Sequence, residues 1–406
     1  MLMNNCLSSL TKRALRASTG AYLTKDMDEH SYIEALKKDN DLSKIYRFDV
    51  GKNTDGISPQ IAQILGSAEL GGLAVENIVE YPDNHYKELR STLAQMHGVK
   101  PEQFVFGAGL DSVIDQLCRS VFNFGDSFIL PIPNFDVFEE HSKKSGGEPL
   151  YVQLKGPDYH WTGDTIEEIC QLIHDHGPKV VWISNPVNPT GQNLPLDYIL
   201  PIVQSGAENG TIVAIDEAYG EYTDHKNEVI SASQFVRDYA NVVVLRTFSK
   251  MYALPSARVG YMICSSEQLR SAVDTYRPMF PFSWVSLYLA QLAVKDWRYI
   301  NEVRERLVRR KRLLFEEAMT LHEYLFLPSD SNTVMFKHLH MGADDLSKAL
   351  ACHGMLTANL NTLAGVAGEE FLRMTVRHEN ENTLLLQACK DVAQSKKNDL
   401  LRNVKI

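Results

Sequence analysis

The stretch NVVVLRTFSKMYALPSARVGYMIC, residues 241–264, decides the fold. Its apolar, β-branched run at 242–245 predicts a buried strand, and the polar pair Ser249-Lys250 follows the carboxyl end of that strand. Ligands of open α/β sheets bind at this edge, and a lysine partly removed from water there is a nucleophile toward aldehydes. A lone Ser-Lys pair is more often a solvated turn, so the remaining sequence has to decide between a reactive lysine and an ordinary one.

Length and composition indicate a globular protein with room for one large domain and a smaller one. The chain has 406 residues, of which 44% are hydrophobic, and no run of about 18 apolar residues suits a membrane span. Its net charge of -10, with basic residues scattered among acidic ones, argues against nucleic acid as a partner. The six cysteines stand far apart, so we expect no metal site, no disulfide framework and a reducing, cytoplasmic location.

The N-terminus carries an unusual charge pattern. Residues 1–25 contain Lys12, Arg13, Arg16 and Lys25, several Ser and Thr, and no acidic residue. This composition resembles a transit peptide, and the alternative is an N-terminal arm that docks on the folded protein. We expect an arm, extending over residues 1–47.

Strands and helices alternate through the first two thirds of the chain. Predicted strands at 104–106, 127–130, 149–154, 180–184 and 211–215 alternate with helices at 86–97, 165–176 and 200–209. This order predicts a mostly parallel sheet covered by helices on both faces. It also brings strand ends together, so Asn188, Asp216, Tyr219 and Lys250 are expected at one edge. The glycine turn at 107–111 before a helix is either a phosphate cradle or an ordinary strand-to-helix turn.

The pattern changes beyond residue 280. Long helical periodicity continues from about residue 282 to 317, and it predicts one or two linker helices. Strands at 332–337 and 370–376 and helices at 343–353 and 382–395 then form a small α+β unit. We therefore expect a large domain over 48–280, and a linker helix with a small C-terminal domain over 281–406, which includes part of the N-terminal segment.

Four motifs, in this order, resemble the fold-type I pyridoxal-phosphate enzymes. They are Tyr81-Pro82-Asp83, NPVNPTG at 185–191, DEAY at 216–219, and RTFSK at 246–250 with Arg258 eight residues on. Within that group the chain is similar to the class I/II aminotransferases, nearest the histidinol-phosphate aminotransferase branch, over roughly residues 45 to 395. The resemblance implies an aspartate-aminotransferase-like α/β fold with a seven-stranded sheet, and pyridoxal 5'-phosphate as cofactor. It also implies a homodimer with shared active sites.

The resemblance assigns catalytic roles to three residues. Lys250 holds the pyridoxal aldehyde as an internal aldimine and, once displaced, moves the proton at Cα. Asp216 keeps the pyridine nitrogen protonated, so that the ring accepts the electrons left on Cα as a carbanion. Tyr219, together with Asn188, contacts the phenolic oxygen of the cofactor. An aspartate after a strand is otherwise a turn or cap residue.

Further cofactor contacts follow from the same resemblance. The phosphate is held by Ser249, Arg258 and the backbone N–H groups of Leu110 and Asp111, since a guanidinium and a helix N-terminus suit a dianion. Tyr81 matches a tyrosine that reaches the phosphate from the partner subunit. Phe135 stands where the family stacks an aromatic ring, usually Tyr, on the cofactor; a buried core Phe is the alternative.

The expected substrate residues match the family less well. Arg373 matches the arginine that binds the substrate carboxylate or, in the histidinol-phosphate branch, its phosphate; a structural salt bridge is the alternative. A second arginine of that branch is missing from the stretch GMLTAN at 354–359, which makes a phosphorylated substrate doubtful. Where the branch has Asn-Glu-Asn, this chain has Gly51-Lys52-Asn53, so Lys52 and Asn53 are expected to bind substrate, unless Lys52 points into solvent.

These observations favour an aminotransferase that acts on a free amino acid. The same Lys250 and Asp216 also suit elimination, cyclisation or decarboxylation in a specialised biosynthetic pathway. Reaction type depends on which Cα bond stands perpendicular to the cofactor ring, and pocket shape sets that orientation. A binding or regulatory module without enzymatic activity is a third, disfavoured interpretation, because no cofactor-contacting residue is missing.

Overall fold

The computed structural model describes residues 28–223 and 230–403. The choice between a transit peptide and an arm falls mainly on residues 1–27, outside this part of the chain. The first helix, α1 (Glu29–Asp39), is capped by Asp28, whose side chain accepts from the backbone N–H of Ser31 at 3.1 Å. This helix buries none of its residues, and its Glu29 pairs with Arg47 at 2.5 Å.

The strands fall into three sheets. Their bounds are β1 (Tyr46–Arg47), β2 (Phe104–Ala108), β3 (Ser127–Ile132), β4 (Glu148–Gln153), β5 (Val180–Ser184), β6 (Ile212–Asp216), β7 (Val242–Thr247), β8 (Val259–Cys264), β9 (Tyr324–Phe326), β10 (Thr333–His338), β11 (Met355–Leu356), β12 (Ala358–Asn359) and β13 (Leu372–Thr375). The largest sheet has seven strands in the order β2-β8-β7-β6-β5-β3-β4. All its pairs are parallel except those of β8, which runs antiparallel to both β2 and β7.

Helices cover this sheet and continue into the second half of the chain. They are α2 (Pro59–Leu65), α3 (Ala68–Asn77), α4 (Lys87–His97), α5 (Leu110–Val121), α6 (Asp136–Lys144), α7 (Gly163–His176), α8 (Leu196–Asn209), α9 (Glu267–Asp274), α10 (Trp284–Lys295), α11 (Trp297–Ala318), α12 (Ala343–Cys352) and α13 (Glu379–Asn403). The predicted α/β class and the mostly parallel seven-stranded sheet are confirmed. Among the helices of the described ranges, none is long and apolar enough to cross a membrane.

Burial explains why the middle strands are uniformly apolar. Every residue of β5, β7 and β8 is buried, which is the pattern of a sheet covered on both faces. The exception inside β7 is Arg246, whose guanidinium is fully buried and paired with Glu217 at 2.8 Å and Glu221 at 3.2 Å. The ion pairs compensate a charge that is otherwise costly to remove from water.

A smaller antiparallel sheet, in the order β12-β13-β10-β9, lies in the C-terminal part of the chain. α12 packs on it, and α13 packs against α11 and α12. β1 pairs in parallel with β11, so the N-terminal segment joins this unit. The short strands β9, β11 and β12 had no clear sequence signal, because two or three residues show no periodicity. The proposed division at residue 280 stays a prediction, and the two larger sheets lie on either side of it.

One helix begins earlier than predicted. The sequence predicts a helix over 200–209, but α8 begins at Leu196 and contains Pro201, a residue disfavoured inside helices. Burial of Ile199, Ile202 and Val203 against the sheet stabilises the helix enough to tolerate the missing backbone N–H.

Candidate active site

Three neighbouring strands end at one edge of the large sheet. Ser184 at the end of β5 stands opposite Asp216 at the end of β6, and Asp216 stands opposite Leu245 in β7. Asn188 follows β5 by four residues, and Lys250 follows β7 by three. The edge therefore brings together an amide, a carboxylate and an amine, as the strand order predicts.

Lys250 lies over the ring of Tyr219. Its Nζ is 5.1 Å from the ring centroid, so the phenol borders the space in which the amine reacts. The hydroxyl of Tyr219 lies close to Gly51. A Cβ at position 51 would come within 2.4 Å of this hydroxyl, so a larger residue there would displace the Tyr219 side chain.

Asp216 is a buried carboxylate, with 4% of its surface exposed. It accepts from the backbone N–H of Ala218 at 2.8 Å. Burial raises its pKa to about 7, although that hydrogen bond and the ammonium of Lys250 act in the opposite direction. A protonated pyridine nitrogen is a cation that compensates such a carboxylate, so the residues at this edge fit pyridoxal phosphate.

The glycine turn before α5 meets Arg258 from the loop before β8. Gly109 is the N-cap of α5, with φ at 82°, and its N–H donates to the carbonyl of Arg258 at 2.9 Å. A Cβ on Gly109 would overlap the Arg258 guanidinium at 2.0 Å. Gly260 permits an equally close approach, because a Cβ there would lie 2.5 Å from the backbone nitrogen of Leu110. A guanidinium thus stands beside the free N–H groups of a helix N-terminus, which suits a phosphate.

Three further residues predicted to hold the cofactor follow the carboxyl ends of strands of the large sheet, namely Asp111 after β2, Phe135 after β3 and Ser249 after β7. Ser249 is half-buried, and its N–H donates to Thr247 Oγ1 at 3.1 Å. Asp111, in the first turn of α5, binds His141 Nε2 through Oδ1 at 3.0 Å. Phe135 caps α6 and packs edge-on against Phe138, with ring centroids 5.5 Å apart.

A chain of hydrogen bonds connects Phe135 to Asn188. The side chain of Asn134 accepts from the backbone N–H of Phe135 at 2.8 Å and from Ser184 Oγ at 2.6 Å. Ser184 in turn accepts from the N–H of Asn188 at 3.2 Å. Asn134 and Ser184 are both buried, and neither is predicted as a site residue from the sequence. Their closeness in sequence to Phe135 and Asn188 is the feature that could have indicated them.

Arg373 reaches the same edge from β13. Its side chain is buried, with Nη1 donating to Asn188 Oδ1 at 2.7 Å and Nη2 donating to the carbonyl of Asp49 at 2.8 Å. The contact joins the small sheet to the loop after β5. Both of these contacts are to neutral oxygen atoms.

Asn53 and Lys52 have different environments. Asn53 is buried and binds the main chain after β7: its N–H donates to the carbonyl of Lys250 at 3.3 Å, and its Nδ2 donates to that of Met251 at 2.9 Å. Its described contacts therefore position Lys250. Lys52 is exposed, and its carbonyl accepts from Asn332 Nδ2 at 3.2 Å.

A second unpredicted pair, Tyr222 and Asn332, supports this loop, with Asn332 directly preceding β10 of the small sheet. Asn332 also donates to the hydroxyl of Tyr222 at 3.1 Å, and both side chains are buried. Burial raises the pKa of Tyr222 well above its usual range, so the phenol stays neutral. No local motif marked Asn332, because its partners lie more than a hundred residues away in sequence.

Tyr81 lies apart from the residues gathered at the edge. It is 80% exposed and stacks on Phe280 with ring centroids 4.5 Å apart. A cavity of about 360 Å³ beside it is lined by Trp284 and Tyr288, among others, and by none of the other predicted site residues. Exposed apolar side chains surround this region, namely Val75, Ile78, Val79 and Met279.

Comparison with known proteins identifies the family. The family model for aminotransferase class I and II matches residues 43–388. The chain belongs to this family. Its members depend on pyridoxal phosphate, so this chain is a pyridoxal-phosphate-dependent transferase, as the motifs predicted.

Among the relatives of this aminotransferase are proteins of the histidinol-phosphate branch. Histidinol-phosphate aminotransferase 2 of Archaeoglobus fulgidus is 30% identical over 319 residues, which is 79% of this chain and 86% of the relative. Histidinol-phosphate aminotransferase of Caldicellulosiruptor saccharolyticus is 30% identical over 361 residues, which is 89% of this chain and 95% of the relative.

Solved structures share the fold of this aminotransferase. The histidinol-phosphate aminotransferase of Sinorhizobium meliloti, in complex with pyridoxal-5'-phosphate, has a TM-score of 0.76 at 22% identity, covering 93% of this chain and 100% of that one. A decarboxylase from Sulfurospirillum multivorans has a TM-score of 0.78 at 22% identity, covering 96% and 98%. The aspartate-aminotransferase-like fold is therefore confirmed, and the same fold carries more than one reaction.

Proposed function

We propose that this protein transfers the amino group of an unphosphorylated α-amino acid. The observation that carries the proposal is the hydrogen bond from Arg373 to Asn188, which places a buried guanidinium at the edge that carries Asp216 and Lys250. A carboxylate bound by Arg373 brings the adjacent Cα toward the amine of Lys250. This is the arrangement that proton transfer at Cα requires.

Each residue at the edge has a separate task. When bound, pyridoxal phosphate supplies an aldehyde that condenses with amines and a ring that accepts electrons from Cα. With the cofactor bound, the amine of Lys250 would take the proton from Cα and deliver it to the carbon of the former aldehyde. Water would then supply the oxygen of the keto acid, and the amino group would stay on the cofactor. The carboxylate of Asp216 keeps a proton on the ring nitrogen, and the low exposure of Asp216 strengthens that interaction.

The other contacts hold the cofactor in place. We assign Asn188 and Tyr219 to its phenolic oxygen, and Phe135 to one face of the ring. Ser249, Arg258 and the N–H groups of Leu110 and Asp111 bind its phosphate. The support is geometric, because Arg258 and the N-terminus of α5 meet at Gly109.

The surroundings of Arg373 favour a substrate without a phosphate. Ala358 of β12 stands directly opposite Arg373, and the amide of Asn359 is bound to Asp344 Oδ1 at 2.7 Å. Neither residue supplies a second cation, so the α-carboxylate is the anion that Arg373 binds. Lys52, which is exposed and directly precedes Asn53, is assigned to the substrate side chain.

We further propose a homodimer that completes the site. The apolar surface around Tyr81 consists of the exposed side chains of Val75, Ile78, Val79, Tyr81 and Met279. Single exposed apolar side chains are common, whereas a group of them is typical of a protein–protein interface. Tyr81 within this surface is assigned to the phosphate of the partner subunit. Cytoplasmic location stays a prediction.

A substrate screen tests the reaction. The purified protein, loaded with pyridoxal phosphate, is mixed with single amino acids from the basic, aromatic, aliphatic and phosphorylated classes. Transamination is expected to convert the cofactor into its pyridoxamine form and release one equivalent of keto acid, for an unphosphorylated amino acid. Absorbance follows the cofactor, and mass spectrometry identifies the keto acid.

The screen also separates the alternative reactions. Carbon dioxide release with an amine product indicates decarboxylation, and a dehydrated or cyclic product indicates elimination or cyclisation. Either product without keto acid would exclude transamination as the main reaction. Turnover of phosphorylated amino acids alone would instead exclude the proposed substrate class.

A further inference from the structure

One buried histidine bridges the helix that binds the phosphate and the helix that carries Phe135. His141 lies in the second turn of α6, with 9% of its surface exposed. Its Nε2 is 3.0 Å from Asp111 Oδ1, and its Nδ1 is 3.3 Å from Asp115 Oδ1. The two carboxylates stand one turn apart on α5, so one imidazole ring contacts both.

The location of Asp111 creates an electrostatic problem for the phosphate. Asp111 is the second residue of α5, and its own N–H is one of the groups assigned to the phosphate. Its side chain is 63% exposed, so the carboxylate borders the space in front of the helix N-terminus. A free carboxylate there competes with a phosphate dianion for the same N–H groups and repels it.

We propose that His141 is a positioning residue for the cofactor phosphate. Its imidazolium holds the carboxylate of Asp111 against α6, so that the phosphate meets Arg258 and the N–H groups of α5 instead of an unpaired negative charge. The inference rests on the proposed function, because it takes the turn at Gly109 as the phosphate site.

The protonation state of His141 supports this role. Burial alone would lower its pKa, but the hydrogen bond to Asp111 and the adjacent carboxylate of Asp115 raise it to about 9. The same contact with His141 lowers the pKa of Asp111. The other charged groups near this cluster are Arg119, which pairs with Asp115 at 2.8 Å, and Lys144 and Arg258, which act on Asp111.

The sign of the pH dependence follows from these groups. The folded-state pKa of His141 is about 9, above the ordinary value of 6.5, so the imidazole is protonated below about pH 8 and loses its charge as pH rises through about 9. The affinity for the phosphate should fall over the same range, by about tenfold for one charge lost at this separation. Arg258 keeps its charge there and does not contribute to the change.

The test measures binding of pyridoxamine 5'-phosphate, which has no aldehyde and cannot link to Lys250. Dissociation constants for this ligand and for pyridoxamine, which lacks the phosphate, are measured by calorimetry from about pH 7 to about pH 10. The dissociation constant of pyridoxamine divided by that of pyridoxamine 5'-phosphate isolates the contribution of the phosphate. Any change in the ring, the amine or Lys250 affects both ligands and cancels in this ratio.

The wild-type protein, His141→Gln, Asp111→Asn, the double variant and Arg258→Gln are compared. In His141→Gln this ratio should be about tenfold lower than in the wild type at about pH 7, and the fall in the ratio near pH 9 should be absent. Adding Asp111→Asn to His141→Gln should restore most of the loss, because the repelling carboxylate is gone. A purely structural role for His141 does not produce this rescue or the pH step.

The outcomes separate the two proposals. If Arg258→Gln weakens the ratio while His141→Gln changes neither the ratio nor its pH profile, the role of His141 is refuted and the phosphate site stands. If Arg258→Gln has no effect, the phosphate binds elsewhere and both proposals fail. Should His141→Gln not fold, Asp111→Asn decides: the proposal expects the step near pH 9 to disappear, because no carboxylate is left for His141 to hold, and a step of unchanged size refutes it.

Discussion

Two walls of the candidate site are built in different ways. The cofactor wall consists of Asp216, Tyr219, Ser249 and Lys250. Each of them lies at the end of β6 or β7 or within three residues after it. The substrate wall consists of residues 51–53, residues 358–359 and Arg373, from three segments separated by up to 322 positions. The cofactor wall is fixed by the pairing of two buried parallel strands, and the substrate wall exists only when distant segments meet.

Catalysis and substrate specificity are therefore expected to depend on different parts of the molecule. Charged groups at neighbouring strand ends of a buried sheet are held in fixed positions. Fixed positions suit the chemical steps that are the same for every substrate. The substrate wall depends on contacts such as Arg373 with the carbonyl of Asp49 and Asn332 with that of Lys52. Loops of this kind change shape with few substitutions, which suits the selection of a substrate.

The largest effect is expected from the cofactor wall. Lys250→Ala removes the amine that moves the Cα proton, and the turnover number should fall about a thousandfold or more. Stopped-flow absorbance with the best substrate from the screen measures the loss. Lys348→Ala, an exposed lysine on α12, is the matched control and should retain full activity. Retention of more than a tenth of the rate by Lys250→Ala would break the distinction between the walls, because chemistry would then reside elsewhere.

The substrate wall should respond through affinity. Arg373→Lys keeps the charge but loses the two separate N–H directions that reach Asn188 and Asp49. KM should rise about 10- to 100-fold with a smaller change in turnover number, since a charge-assisted hydrogen bond contributes about 1.5–3 kcal/mol.

Cofactor affinity provides the control for this variant. The dissociation constant of pyridoxamine 5'-phosphate should stay within about threefold of the wild-type value, because Arg373 is not assigned to the phosphate. A matched loss of cofactor and substrate affinity would show that Arg373 belongs to the cofactor wall.

The smallest effect is expected where the two walls touch. In Gly51→Ala the new methyl group would lie 2.4 Å from the Tyr219 hydroxyl and 3.2 Å from Thr333 Cγ2, so Tyr219 has to move. We expect the turnover number to fall about threefold to tenfold, with a free energy of unfolding lower by about 1–3 kcal/mol from overpacking. Steady-state kinetics and urea unfolding measure the two quantities.

The double variant Gly51→Ala/Tyr219→Phe sharpens this test. Removing the hydroxyl eliminates the closest contact, so adding Tyr219→Phe should recover part of the stability lost in Gly51→Ala. The single variant Tyr219→Phe is the reference for the loss of the hydroxyl itself. Additive losses would show that position 51 does not act through Tyr219.

The sequence predicted the cofactor wall better than the substrate wall for a physical reason. Asp216 ends an apolar strand and Lys250 follows another by three residues, so a local sequence pattern marks each of them. The parallel pairing of the two strands then places both residues at the same edge of the sheet. Asn53 was expected to bind substrate, but the structure places its amide on the carbonyl of Met251, which no local pattern reveals. His141 had no signal either, because its partner Asp111 is 30 positions away.

The position of β8 has a consequence for how the protein is made. β8 is the last strand of the large sheet in sequence, yet it inserts between β7 and β2, the first strand of that sheet. Arg258 and Ala108 are 150 residues apart, so their contact forms only after most of the large sheet has been synthesised. A nascent chain that ends at β7 already contains Asp216 and the Gly109 turn but lacks the guanidinium beside it. Under the proposed assignment of Arg258 to the phosphate, pyridoxal phosphate would bind the finished sheet, and its binding would draw the folding equilibrium toward completion.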